Sequence, residues 1–218
     1  MLPKIGNNKS LSQQAYDAIK KAILTNEFKP KDILREEALA DSLGISRTPL
    51  RAALKRLQYE KLVVVNSAKQ TFVSEVKTED MARVFVFRFA VEPMAARVAA
   101  ALIGKKGLGR IEECLASHAA CVKERNVEKA IVLELLFNTL LAECTENEFL
   151  IDGTEMINTY VQRFLSVANS TVRNVPLSLE EHGRIFEALK AHDAKAAEAQ
   201  TNEHLSRVVA RFGFTLPF

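Results

Sequence analysis

The run REEALADSLGISRTPLRAALKRLQ, residues 35–58, decides the reading of this chain. Its first part carries Ala38, Leu39 and Leu43 at helical spacing and predicts a helix from about Arg35 to Leu43, with Gly44 where a left-handed C-terminal cap belongs. After a tight turn, Ser46 is placed to cap the next helix. Pro49 falls in that helix's first turn, where a missing N–H does no harm, and Leu50, Ala53, Leu54 and Leu57 form its buried stripe. The opposite side bears Arg47, Arg51 and Lys55 at i, i+4 and i+8, and Gln58 completes the row. Two short helices and a turn thus deliver a helix with a basic, hydrogen-bonding outer face, as recognition through the major groove requires.

The flanks complete a small domain. Upstream, Ser10 or Ser12 can cap a helix whose apolar residues Ala15, Ile19, Ala22 and Ile23 keep a helical period, closing near Thr25 before Phe28-Lys29-Pro30. Downstream, Leu62-Val63-Val64-Val65 and Thr71-Phe72-Val73-Ser74 are β-branched runs separated by Asn66-Ser67-Ala68-Lys69-Gln70, a hairpin with Lys69 near its tip. A basic row on one helix is ordinarily no more than a solvated face. Here the row lies on the third helix of a helix, helix-turn-helix, hairpin order, and that order favours DNA. Charge agrees: residues 1–75 carry 13 Lys and Arg against 8 Asp and Glu, while residues 76–218 carry 17 against 19. The front is the part suited to a polyanion.

With 218 residues, 48% of them hydrophobic, the chain can bury two cores, and we place the boundary at 76/77. Met1-Leu2-Pro3-Lys4 opens no apolar leader, and the stretch 81–103 is interrupted by Arg88, Glu92, Pro93 and Arg97, so no membrane partner and a cytoplasmic location are expected. Cys114, Cys121 and Cys144 sit in helix-like surroundings and read as reduced packing thiols. After Thr78 the chain reads as helices near residues 79–103 (perturbed at Pro93), 108–125, 127–143, 147–173, 179–191 and 194–212, an all-α antiparallel bundle. Thr145-x-x-Glu148 and Ser178-x-x-Glu181 have the pattern of capping boxes, and Asp193 can cap the last helix. The fold class is therefore mainly α, a winged helix-turn-helix followed by a helical bundle.

The first domain resembles the winged-helix domain of GntR-type regulators, through Tyr16, Ile19, Ile23, Pro30, Leu34, Glu36, Leu39-Ala40, Leu43 and above all Ile45-Ser46-Arg47-Thr48-Pro49-Leu50-Arg51. The resemblance implies that Arg47 and Arg51 touch operator bases and phosphates and that Thr48 supports them, with Ser46, Lys55 and Lys69 as further candidate DNA contacts. Three positions depart from the pattern: Lys31 stands after Pro30 where Gly is usual, Ala52 replaces a common Glu, and Gln70 occupies the wing position that normally carries Gly. A side chain at Gln70 argues against deep minor-groove insertion of the wing.

The rest of the chain resembles the helical FCD domain of the FadR-like branch of these regulators, through Arg88-x-x-Val91-Glu92 with Ala95-Ala96-Arg97, Phe137, Glu146-Asn147, Glu181-His182-x-x-Ile185, Asp193, Ala197 and Glu203-His204-Leu205. Such proteins dimerise and bind a small carboxylate metabolite, often through a divalent metal held by one Asp and three His. The matching positions here are Glu134, Asn138, His182 and His204, so Asn138 stands where an imidazole is usual. The geometry of the helices favours a site at the same place: His182 lies ten residues before the His192-Asp193 turn and His204 about as far after it, so the two can face each other across a helical hairpin. Glu134 and Asn138 share one face of an earlier helix. Zinc, nickel or manganese is one reading of the set, an imidazole pair satisfied by hydrogen bonds the other. Arg88, on a largely apolar helix, is either an effector clamp or, the favoured choice, the ion-pair partner of Glu92 four residues on. Cys144, His118 and His192 carry no assigned role.

The expected function is a homodimeric repressor or activator that reads a near-palindromic operator and is modulated by a small organic acid bound in the bundle. A constitutive DNA-binding protein whose bundle only dimerises is the alternative. A metal-dependent hydrolase or lyase on Glu134, His182 and His204 ranks below both, because the chain has no H-E-x-x-H, G-x-S-x-G, Walker or dinucleotide-glycine motif.

Overall fold

The computed structural model describes residues 9–167 and 175–217 and divides the chain into two compact units, residues 1–75 and 76–218. The expected features at residues 1–4 and the expected helix end at 173 lie outside the described residues.

In the first unit, α1 (Leu11–Leu24), α2 (Glu36–Leu43) and α3 (Arg47–Tyr59) precede an antiparallel hairpin of β1 (Val63–Val65) and β2 (Thr71–Val73). Ser10 is the α1 cap, its Oγ accepting from the N–H of Gln13 at 3.2 Å. The apolar stripe of α1, Ala15, Tyr16, Ile19 and Ile23, packs on Leu50, Ala53, Leu54 and Leu57 of α3. Tyr16 also donates its hydroxyl to Glu60 at 2.6 Å, Lys20 bonds the same carboxylate at 2.8 Å, and the Arg56 guanidinium lies 3.7 Å above the Tyr16 ring. These contacts pin the C-terminal end of α3 to α1.

Two local expectations change. Ala38 is exposed, and Ala40 is the buried alanine of α2, with Leu39 and Leu43 half-buried against the core. The physical reason is phase: two residues turn a helix by about 200°, so Ala38 must face away when Ala40 faces in. At the wing, the left-handed residue is Lys69 (φ 59°), not Gln70. Asn66 closes this turn by accepting from Lys69 N–H at its carbonyl and from Gln70 N–H at its side chain, 3.0 and 2.9 Å respectively. Gln70 is thereby left free of the conformation that favours glycine. Gly44 does adopt that conformation (φ 64°) and stops α2 with its N–H on the carbonyls of Ala40 and Asp41.

The second unit consists of α4 (Thr78–Leu102), α5 (Lys105–Lys123), α6 (Val127–Glu143), α7 (Glu148–Val167), α8 (Val175–Lys190) and α9 (Ala194–Phe212). Short turns join the packed neighbours α5 and α6, α6 and α7, and α8 and α9, which makes each pair an antiparallel hairpin. Helix α4 runs through Pro93 and contacts α6, α7, α8 and α9, so it occupies the centre. Ala95, Ala96, Ala99 and Ala100, all buried, let its neighbours approach closely.

The predicted capping boxes are not formed. Asn147 caps α7, its side-chain oxygen accepting from Phe149 and Leu150, while Thr145 donates to the carbonyl of Ala142. Ser178 lies inside α8, which is already helical at Val175, and Glu181 is buried within the bundle instead of folding back on a helix end. The third expectation holds: Asp193 caps α9, accepting from Ala196 N–H at 2.9 Å.

Two apolar clusters fill the bundle. One is built around Phe137, Ile111, Ile185 and Leu189, the other around Phe85, Leu135, Ile157 and Leu205. On α4 and α9 the residues between the clusters are polar, Arg88 and Glu92 and then Thr201 and His204, and α8 brings Glu181 and His182 beside them. The bundle therefore contains a polar layer.

Leu57→Ala removes a fully buried side chain of the first unit and is expected to cost about 2–5 kcal/mol. Gly44→Ala, by strain at positive φ alone, is expected to cost about 1–2 kcal/mol. Denaturant titration followed by circular dichroism checks both. Equal losses from Ala38→Ser would contradict the observed phase of α2.

Candidate DNA interface and interior polar site

The exposed face of α3 carries Arg47, Thr48, Arg51, Lys55 and Gln58. Ser46 sits at the N-cap position in extended geometry, but its side chain makes no capping hydrogen bond. Lys69 is exposed at the wing tip. The two arginines are not isolated: Arg47 Nη2 lies 2.7 Å from Glu37 Oε1, and Arg51 Nε lies 2.8 Å from Glu36 Oε2. Both carboxylates belong to the first turn of α2, where the helix dipole favours negative charge. Sequence reading treated the arginines as a free basic row and missed these partners. Only the packing of α2 on α3 brings residues ten and fifteen positions apart together.

Inside the bundle, α8 and α9 bring His182 and His204 to a ring separation of 4.8 Å. His204 is oriented by Glu181, whose Oε2 is 2.8 Å from Nδ1, and its Nε2 is buried without a partner. His182 is fully buried and stacks on Phe137 at 4.1 Å, with neither ring nitrogen hydrogen-bonded. A third imidazole joins them: His118 of α5 is 0% exposed, 6.5 Å from His182, and equally unpartnered. It was set aside in the sequence because its own neighbourhood is unremarkable. No local signal marks it, since the packing of α5 against α8 places it there.

Arg88 forms a buried, two-bonded ion pair with Glu92, at 2.6 and 3.1 Å. Arg211 makes the same kind of pair with Glu181, at 2.6 and 3.0 Å. One small cavity is lined by Arg88, Glu134, Ser178 and Arg211 among apolar side chains such as Phe85, Ile131 and Phe164, with about 20 Å³ open to the centre of a water molecule. A second, of about 10 Å³, is lined by Glu92, Asn138, Thr154, Thr201 and His204. Each has room for one or two waters. Glu134 and Asn138, one helical turn apart on α6, thus line different cavities. The buried hydroxyl of Thr154 also lacks a partner.

The donor set does not fit the four-ligand metal site that the resemblance implies. Among the described residues no three His, Cys, Asp or Glu side chains converge as an ion requires, and Asn138 supplies only an amide. His182 and His204 remain an imidazole pair with free, buried nitrogens.

Electrostatics follow from burial. Desolvation alone would raise the Glu181 carboxyl, but hydrogen bonds from His204 and Arg211 outweigh it and hold the group at about 2. Burial, reinforced by the neighbouring His204 and His118, drives His182 well below its ordinary value, so it is neutral at pH 7. Glu134, with its carboxyl enclosed, is pushed up by desolvation against the pull of His204 and Arg88.

These shifts fix a sign. A carboxylate depressed by folding contributes stability that is present above its unfolded pKa and is lost as pH falls toward the folded value; a histidine kept neutral by folding loses stability once the unfolded chain begins to take up protons. Stability is therefore expected to fall below about pH 6.5, where histidine titrates, and again below about pH 4.3, where free glutamate does. The thermal midpoint against pH checks this, and a flat profile from pH 7.5 to 3 would contradict the buried polar layer.

Residues 11–73 match the model of the gntR family of bacterial regulatory proteins, and residues 83–207 match the FCD domain. Similar chains include the uncharacterised HTH-type transcriptional regulator YdhC of Bacillus subtilis, 26% identical over 195 residues, covering 88% of this chain and 87% of that protein. Another is the HTH-type transcriptional repressor RspR of Escherichia coli, 23% identical over 198 residues, covering 91% and 87%. Among solved structures, E. coli McbR/YncC superposes with a TM-score of 0.81 at 23% identity, covering 94% of this chain and 99% of that one. A putative GntR regulator from Rhodococcus sp. RHA1 also gives 0.81, at 20% identity and 95% and 100% coverage. At these identities the structures establish the shared fold. Together with the basic face of α3 and the bundle behind it in sequence, the family matches show that this chain belongs to the GntR family of DNA-binding transcriptional regulators, in the group with an FCD domain.

Proposed function

We propose that this regulator reads a near-palindromic operator as a homodimer, and that a small organic acid entering the polar layer of the bundle changes its hold on DNA. The observation that carries the DNA half is the exposed row Arg47, Arg51 and Lys55 on α3, directly after the α2 turn. A recognition helix so placed puts its N-terminal residues on base edges, with Arg47 and Arg51 suited to guanine O6 and N7. Ser46, Thr48 and Lys69 are placed for phosphates. One relative is named a repressor, which supports repression as the mode.

For the effector, the supporting observation is a cavity with two guanidinium groups, Arg88 and Arg211, the Ser178 hydroxyl and the Glu134 carboxyl on otherwise apolar walls. That is a setting for a carboxylate. Beside it stand the unpartnered nitrogens of His182 and His204 and the amide of Asn138, which suit a second polar group of the ligand. Because the cavities have room for only a water or two, an acid must open the bundle to enter, and that movement is what couples the site to DNA affinity. This reading needs no metal ion. A metal form is favoured by one feature, the Glu181 carboxylate behind His204, which is the outer partner that ligating histidines usually have.

The homodimer rests on an uncovered apolar patch of the second unit. Phe149, Gly153 and Met156 share a face of α7, with Phe149 89% and Met156 50% exposed, and a side chain at Gly153 would touch Val91 and Phe87 of α4.

Three outcomes are expected. Arg47→Ala and Arg51→Ala each weaken operator binding by at least about tenfold, one bidentate base contact being worth about 1–3 kcal/mol, with an unchanged melting temperature; wild-type retention in both by gel shift would remove α3 from the interface. Within a panel of small mono- and dicarboxylic acids, at least one raises the melting temperature by several degrees, since saturation at about 100 times Kd adds about 2.7 kcal/mol, and His204→Gln abolishes the rise. If no acid shifts the midpoint, the bundle serves only dimerisation. Elemental analysis for zinc, nickel and manganese separates the two forms of the site: one ion per chain, lost in His182→Ala and His204→Ala, would establish the metal form.

A further inference from the structure

We infer that Glu36 and Glu37 are specificity-determining residues of the DNA interface, biasing the orientation of the Arg51 and Arg47 guanidiniums and offsetting their attraction to phosphate. The inference rests on the assignment of α3 as the recognition helix. Its starting point is the pair of contacts Arg47–Glu37 (2.7 Å) and Arg51–Glu36 (2.8 Å), each made through a single nitrogen. Arg51 commits Nε and keeps both terminal nitrogens for another partner. Arg47 commits one N–H of Nη2 and keeps the other, which forms a fork with the adjacent nitrogen. What remains on each side chain is a two-nitrogen edge, the shape that guanine O6 and N7 accept.

The carboxylates do not depend on the arginines for their position. Both sit in the first turn of α2, stabilised there by the helix dipole. In a helix-turn-helix the first of the two helices crosses the phosphate backbone, and a helix N-terminus is ordinarily an anion site. Here two of the chain's own carboxylates stand in its first turn. A phosphate approaching Arg47 or Arg51 must displace a carboxylate or tolerate its charge nearby, whereas a base edge uses the nitrogens that are already free. Backbone attraction, which is the same for every sequence, is thereby reduced, and base readout is retained. Since exposed ion pairs contribute at most about 1 kcal/mol, the device lowers non-specific affinity without locking the arginines.

The test uses the full chain and two labelled duplexes, one of scrambled sequence and one selected by the wild-type protein from a random pool. Glu37→Gln is expected to tighten binding to the scrambled duplex several-fold and to steepen the dependence of log affinity on log salt by about one unit, the signature of one more neutralised phosphate. The ratio of selected to scrambled affinity falls. Glu36→Gln does the same through Arg51. Asp41→Asn, which removes one exposed charge from the same helix that is paired with neither arginine, leaves slope and ratio unchanged. In an Arg47→Ala background, Glu37→Gln has no further effect, because the coupling runs through that arginine. An Asp41→Asn change as large as that of Glu37→Gln would reduce the effect to net charge and overturn the inference, as would Glu variants that bind both duplexes like wild type or more weakly. A wild-type protein that selects no duplex would instead overturn the assignment of α3 on which the inference stands.

Discussion

A carboxylate buried in a helical bundle is tolerated only if cations and hydrogen bonds meet it there, and in this protein the second unit is arranged around that requirement. Glu181 on α8 is met by Arg211 and His204 on α9. One turn on, at Ile185 of α8 and Val208 of α9, the buried stripes are apolar, while Ser178 and Thr201 extend the polar layer on the other side. Removing Arg211 would leave the buried carboxylate with His204 as its main partner, and losing a partner of a buried charge is far more costly than the pair is stabilising. The same constraint explains Arg88 and Glu92, which satisfy each other on α4 at the same level of the bundle. The result is a polar slice with apolar packing on both sides, and it fixes the register of α8 against α9.

That slice is also where satisfaction is incomplete. Five ring nitrogens of His118, His182 and His204 and the hydroxyl of Thr154 are buried with no partner. Buried polar atoms are nearly always paired, with protein, water or a ligand, so this group is where a water or a ligand would find partners. A bundle whose polar centre gains partners on ligand binding has a physical basis for two states. A ligand shifts such an equilibrium only by its difference in affinity for the two, and filling these sites supplies a difference.

The DNA-binding unit solves a different problem with fewer residues. Its core is one face of α1 against one face of α3, closed at the far end by the Tyr16, Lys20, Arg56 and Glu60 contacts. This rigid pairing leaves the other face of α3 free for chemistry. The basic excess of residues 1–75 is what long-range attraction to DNA requires, and within it Arg47 and Arg51 are each paired with a carboxylate of α2.

The amino-acid sequence by itself determined the order of elements, the buried stripe of α3, the glycine that ends α2, the cap of α9 and the facing of His182 and His204, because each depends on spacing within one helix or across one short turn. It also displayed the GntR and FCD motifs. Only the tertiary structure decided that Ser178 and Glu181 lie inside α8, that His118 joins the imidazole pair, that Glu36 and Glu37 pair with Arg51 and Arg47, and that Lys69 takes the left-handed turn position. The division has one physical cause. Periodicity reports which way a side chain points from its own helix, but whether two such directions meet depends on the rotation and axial offset of packed elements, and those are set by the summed packing of the whole interior.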